Sequence, residues 1–254
     1  MNSTTHIRHP IGVFSITHMV ILAVSLSLAA FLAYFFSKKF GFNKKLIWVC
    51  AFIGLLCEIE RLLFFVEETA GGGYRLPANL IPLNLCPFQV VFIFILALSE
   101  APEKLKKLIS FMYPAMVGGA FMGMLLCGEA FRAHGLSDLA TYRYFIFHAM
   151  VVFFGLYLYL SRPIQFGLKS YGYGLLFTFF SVILGVWVNG FFGWDPAANH
   201  MFIVRPPVDG LPILNFRHGW PGYMLDMCIL GFSMVTLIYL PVIISELRNL
   251  IRKR

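Results

Sequence analysis

Seven apolar stretches separated by short polar intervals run along this chain, near residues 12–36, 46–66, 82–99, 107–127, 144–161, 172–193 and 222–245. Each is about 18–25 residues long, enough to cross roughly 30 Å of hydrocarbon as an α-helix. The pattern predicts an all-α polytopic bundle of seven transmembrane helices forming one domain over residues 1–254. No internal repeat or long linker divides it. The first stretch is too long for a signal-peptide core, and its Lys pair follows the apolar run instead of preceding it, so it reads as a retained span.

Composition agrees. Of 254 residues, 59% are hydrophobic and 13% charged, a mixture that would leave a soluble domain with too much apolar surface. The basic residues set a direction. Thirteen of the 20 Lys and Arg fall between stretches one and two, three and four, five and six, and at the C-terminus; six fall on the other side, and Arg61 lies inside a stretch. The positive-inside rule then predicts the N-terminus outside and the C-terminus in the cytoplasm of a cell membrane. It also accounts for the +8 net charge, so nucleic acid is not an expected partner; membrane lipids are. The five cysteines lie in or beside apolar stretches, which argues against an extracellular disulfide framework.

Charged and amide side chains inside a membrane are costly and mark functional sites by default. With the stretches oriented, His18, Glu58, Glu60, Arg61, Asn84, Cys86, His148, Asn189 and Asp226 all fall roughly 5–12 Å below the outer interface at 1.5 Å per residue. They should face one another across a shared cavity. Plainer roles compete. Glu58 and Arg61 are three apart on one face and suit mutual neutralisation. Glu60 needs another partner, with His18 or His148 as candidates. His18 fits an interhelical hydrogen bond, and Asp226 and Asn189 fit interhelical glue as well as substrate contact. Gly119 and Gly123 form a GxxxG suited to a close helix contact.

Cys86 stands apart because of the run Pro82-Leu83-Asn84-Leu85-Cys86-Pro87. Pro82 suits a helix start, while Pro87 disfavours helical geometry at Cys86. A first turn kinked at Cys86 is expected, with free N–H groups and a positive helix end beside the sulfur. Such groups stabilise a thiolate or an oxyanion. His148, at matching depth, is the candidate base; Cys86 as buried filler is the alternative. Residues 194–221 are long for a connection between spans and suit an outer lid carrying Asn199 and His200. Gly71-Gly72-Gly73 has no phosphate-loop signature, and His134, His200 and His218 lack metal-ligand spacing.

The segment Pro82-Leu83-Asn84-Leu85-Cys86 resembles the "LPLHLC" signature of the YwaF-like bacterial integral membrane proteins. Phe147-His148 is a second match. Asn199-His200-Met201-Phe202-Ile203, with Pro206-Pro207 and Trp220-Pro221, resembles that family's "NYMFL…P…WPWY" region. The family is similar to a vertebrate multi-pass acyltransferase that remodels ether phospholipids through a membrane Cys and a His partner. The resemblance implies Cys86 as nucleophile and His148 as general base, in a bacterial plasma membrane. Asn84 stands where the signature has His, and His200 where it has Tyr.

The expectation is therefore a thiol acyltransferase or acyl hydrolase acting on phospholipid or lysophospholipid at outer-leaflet depth, without a cofactor. A transporter or small-molecule receptor built on Glu58, Glu60 and Arg61 is the rival. Haem ligation by His18 and His148 is a third reading.

Overall fold

The computed structural model describes residues 12–252 apart from 65, 69–71, 128–134, 136–137, 209–210 and 212. Seven long helices account for most of these residues. α1 is Ile16–Phe40, α2 Lys44–Phe64 and α3 Leu85–Leu98, the last preceded by a 3-10 turn at Ala78–Leu80. α4 runs over Pro102–Leu125, α5 over Leu139–Ser161, α6 over Leu168–Phe191 and α7 over Gly219–Arg252. A two-residue antiparallel ribbon, Glu67–Glu68 (β1) with Tyr74–Arg75 (β2), follows α2.

Among the described residues, six segments are long and apolar enough to cross a membrane: α1, Ala78–Leu98, α4, α5, α6 and α7. The protein is a multi-pass membrane protein. α2 is as long as a span but carries Glu58, Glu60 and Arg61 near its end, so by composition alone it falls outside that set. Large apolar side chains such as Phe31, Leu56, Trp187 and Phe191 are exposed, as lipid-facing positions must be.

Local chemistry sets the helix ends. Ser15 caps α1 by accepting from the His18 N–H, and α1 stops at Gly41, whose φ is 58°. A left-handed residue there suits glycine, which has no Cβ to clash. Asp138 caps α5 through the Ala140 N–H. α5 is the centre of the bundle, packed by α1, α2 and α4, and Val151, Phe154, Tyr157 and Leu158 along it are wholly buried. The Tyr157 hydroxyl donates to Gly41 O at 2.6 Å and accepts from Asn43 N at 2.7 Å, pinning the α1–α2 turn to α5.

α4 is interrupted by a π-helical turn at Ala115–Gly119. Small residues here let neighbours approach: a Cβ on Gly118 would stand 2.6 Å from Met234 of α7, and one on Gly119 2.9 Å from Leu85 of α3. The expected GxxxG contact thus divides. Gly119 meets α3, whereas Gly123 meets His148 of α5. Residues that would share a face in an α-helix are turned apart by the wider turn between the two halves of α4.

Candidate functional site

The helix break expected at Cys86 falls earlier. Asn84 is extended (φ −84°, ψ 158°) and α3 begins at Leu85, so Cys86 lies inside its first turn. Pro87 is tolerated because a first-turn N–H has no intrahelical acceptor to lose. Asn84 occupies the cap position but does not cap: its Oδ1 accepts instead from Met201 N at 2.7 Å. The Leu85 and Cys86 N–H groups have no acceptor among the described residues and lie beside the thiol.

His148 is almost fully buried on α5. Its Nδ1 lies 2.8 Å from the carbonyl oxygen of Tyr144. A carbonyl only accepts, so Nδ1 carries the proton and Nε2 keeps a lone pair, the tautomer a general base requires. Nε2 faces α4, where a Cβ on Gly123 would stand 3.1 Å away. The Tyr144 ring packs on the imidazole with centroids 4.2 Å apart, and its hydroxyl donates to Gly123 O at 2.5 Å. Cys86 and His148 are not hydrogen-bonded to each other. Tyr144 lies within electrostatic reach of Cys86 and of Cys127.

The carboxylates are matched with guanidinium groups. Arg61 donates to Glu58 Oε2 through Nη2 at 2.7 Å and Nε at 3.1 Å, and Nη2 also reaches Leu80 O at 2.8 Å. Glu60 pairs with Arg143 at 3.3 Å, not with His18 or His148. Arg143, expected in an outer loop, belongs to α5 because that helix starts at Leu139, five residues before the predicted stretch.

His18 is wholly buried between helices. Nδ1 accepts from Phe14 N at 2.9 Å, which places the proton on Nε2, and Nε2 donates to Met124 O at 2.9 Å with Cys127 Sγ at 3.4 Å. The Cys127–His18 contact therefore looks like a catalytic pair but has the wrong tautomer for one. Nor does the imidazole offer a lone pair to iron, which argues against haem ligation through His18.

The α6–α7 loop is docked, not free. Asn189 holds His200 by donating to its carbonyl at 2.8 Å and accepting from its N–H at 2.9 Å. Asn199 Oδ1 accepts from Val204 N and Arg205 N, both at 3.0 Å. Trp220 Nε1 donates to Ile203 O at 3.0 Å, and the Tyr223 hydroxyl donates to Phe202 O. Asn199, Met201 and Phe202 all have positive φ, a conformation that non-glycine residues hold only when surrounding contacts enforce it. The His200 ring is buried against Phe192, and neither ring nitrogen has a partner among the described residues. Burial and the Arg61 charge hold its pKa below the ordinary value.

One connected polar layer results. Glu58 lies within reach of Cys86, Arg61 of His200, and Arg143 of His148. Asp226 stays outside it, half-buried on α7 with no hydrogen bond or ion pair among the described residues. Tyr144, Arg143, Gly123 and Gln89 escape sequence reasoning. Gln89 is fully buried one turn after Cys86, its amide without a partner among the described residues; the i+3 spacing was its only signal. His134, Gly71 and Asp209-Gly210 lie outside the described residues.

The TMEM164 family model matches residues 13–239, nearly nine-tenths of the chain. The chain belongs to the TMEM164 family. The match spans every residue of the polar layer, from His18 to the docked loop. No match was found among curated proteins or solved structures.

Proposed function

We propose that this TMEM164-family protein is a membrane-embedded thiol acyltransferase or acyl hydrolase, acting on phospholipid and lysophospholipid at outer-leaflet depth. In this reading α2 also spans the membrane, giving seven crossings with the N-terminus outside and the C-terminus cytoplasmic in a bacterial plasma membrane. The supporting observation is the pairing of an uncapped α3 N-terminus at Cys86 with a His148 tautomer whose Nε2 is free to accept a proton. The YwaF-like motifs point the same way.

The chemistry balances without a cofactor. His148 Nε2 takes the Cys86 thiol proton, and the sulfur attacks the ester carbonyl carbon. The oxyanion is stabilised by the open Leu85 and Cys86 N–H groups. The carbon–oxygen bond breaks, and His148 returns its proton to the leaving lysolipid oxygen, leaving a thioester on Cys86. A lysolipid hydroxyl or water, deprotonated by the same imidazole, then attacks the thioester; the carbon–sulfur bond breaks and the imidazole returns that proton to the Cys86 sulfur. Catalytic hydrogen bonds often close only with substrate bound, so the gap between Cys86 and His148 suits a resting state. A transporter on Glu58, Glu60 and Arg61 gains less support, because each carboxylate is already engaged by a guanidinium.

The test is capture of the intermediate. Purified protein is incubated with acyl-labelled phospholipids and Cys86 is examined by mass spectrometry. The expected result is an acyl adduct in wild type, lost in Cys86→Ala and in His148→Ala. Neither adduct nor turnover across a panel of ester and ether lipids would end this proposal.

A further inference from the structure

The end of the bundle that carries most of the Lys and Arg presents a second site, remote from Cys86. A cavity of about 260 Å³ there is lined by Lys106 of α4, by Gln165 and Gly167 of the α5–α6 connection, by Lys169 and Ser170 of α6, and by Glu246 of α7. A neighbouring space of about 350 Å³ shares Gln165 and Glu246 and adds Arg252.

α6 begins here without a side-chain cap, at Gly167. The Tyr171 N–H is the first to find an acceptor, Gly167 O; those of Leu168, Lys169 and Ser170 have none among the described residues, and three aligned N–H groups at the positive end of a 24-residue helix favour an anion. Ser170 is the independent sign of a ligand. Its side chain is wholly buried, its hydroxyl has no partner among the described residues, and it lines the cavity. A buried hydroxyl left unpaired is destabilising, so a bound acceptor would complete it.

The charges around it are unspent. Lys106, Lys169 and Glu246 form no ion pair among the described residues. The Glu246 carboxylate sits 3.2 Å from where a Gly167 Cβ would be, yet makes no hydrogen bond to the open N–H groups. A simple anion would suit the lysines and the helix end but would be repelled by Glu246. A zwitterion carrying a phosphodiester and a primary ammonium suits all of them.

We propose that this cavity binds the head group of a phospholipid bearing a primary amine. The phosphate meets the α6 N-terminus, the Ser170 hydroxyl and the two lysines, and the ammonium donates to Glu246 and the Gln165 carbonyl. A quaternary choline has no N–H to donate, so selectivity for the primary amine follows. The site lies between consecutive spans, at the level of lipid head groups, and it does not depend on Cys86 or on acyl transfer.

Native mass spectrometry of the full-length protein tests this, with phosphatidylethanolamine, phosphatidylcholine and phosphatidylglycerol of identical chains, and with phosphoethanolamine or inorganic phosphate as soluble competitors. Retention of the ethanolamine lipid should exceed that of the other two. Glu246→Gln should lower it about tenfold, as loss of one charge-assisted hydrogen bond does, and leave the choline lipid unaffected. Ser170→Ala and Lys169→Gln should weaken retention of all three lipids. Phosphoethanolamine should compete far better than phosphate. Equal retention of the three lipids, competition by phosphate alone, or an unchanged preference in a folded Glu246→Gln variant would each overturn the proposal.

Discussion

Asn84 and Met201 lie 117 residues apart in the chain and are joined by a 2.7 Å hydrogen bond from the Met201 N–H to the Asn84 side chain. The bond ties the residue at the entry of the Cys86 helix to the loop between α6 and α7. It also diverts Asn84 from the cap it would otherwise form, which is why the first N–H groups of α3 stay open. Asn84→Ala should destabilise the docked loop by about 1 kcal/mol, the usual net worth of such a bond, and Asn84→Asp, which keeps an acceptor oxygen, should restore most of it. Hydrogen exchange across residues 199–205 is the measurement: faster exchange in the alanine variant and protection in the aspartate variant.

Gly123 sets the room around His148. An alanine there would put its Cβ 3.1 Å from Nε2 and 3.0 Å from Cδ2, so the imidazole must give way by a few tenths of an ångström. A displacement of about 1 Å at a reacting group can lower rates about a hundredfold, so a shift of a few tenths corresponds to a loss of a few-fold. Gly123→Ala should lose acyl-adduct formation at Cys86 by that order while remaining monodisperse on size exclusion. Undiminished adduct formation would show that His148 Nε2 is not the base.

Glu60 and Arg143 join α2 to α5 with little solvent around them; their side chains are 27% and 12% exposed. Removing one partner strands the other charge, which is worse than removing both. Arg143→Gln should cost about 3 kcal/mol, at the lower end for such pairs because Glu60 keeps some access to solvent. The double variant Glu60→Gln/Arg143→Gln should recover most of that. Thermal unfolding in detergent gives the comparison, and a double variant as unstable as the single one would contradict the pairing.

His200 gives the docked loop a pH dependence. Its pKa is lowered from an ordinary 6.5 by burial and then by Arg61, so the docked state binds fewer protons than the undocked one. The stabilisation is fully present above the ordinary value and declines as pH falls through it towards the depressed one. Loop protection, followed by hydrogen exchange corrected for intrinsic rate, should fall between about pH 7 and 5. His200→Phe keeps a ring against Phe192 and removes the titrating group, so its profile should be flat over that interval.

Helix positions were the most legible feature, because a run of about 20 apolar residues has few other solutions. The polar layer was legible too, since ionisable residues stand out against such a background. Their partners were not. In helices apolar on every side no periodicity shows which way a residue turns, so Arg143 was assigned to a loop and Glu60 was left without its guanidinium. Asp138 as an N-cap was the signal that α5 begins early. Tyr144, four residues before His148, was hidden among the chain's aromatic residues. The roles of Asn84, Asn189 and Asn199 in docking the loop are set by contacts across the bundle, beyond the reach of local pattern.

The π-turn at Ala115–Gly119 has a register consequence. Each residue of an α-helix advances about 100° around its axis, so one peptide more or less within that turn would rotate everything beyond it by about that angle relative to the inner half of α4. Gly123, Met124 and Cys127, which meet His148 and His18, all lie beyond it. Excising a single residue between 115 and 119 would swing all three off their imidazoles at once while leaving the contacts of Tyr113 with Ile238 O and of Ser110 O with Tyr239 of α7 in phase.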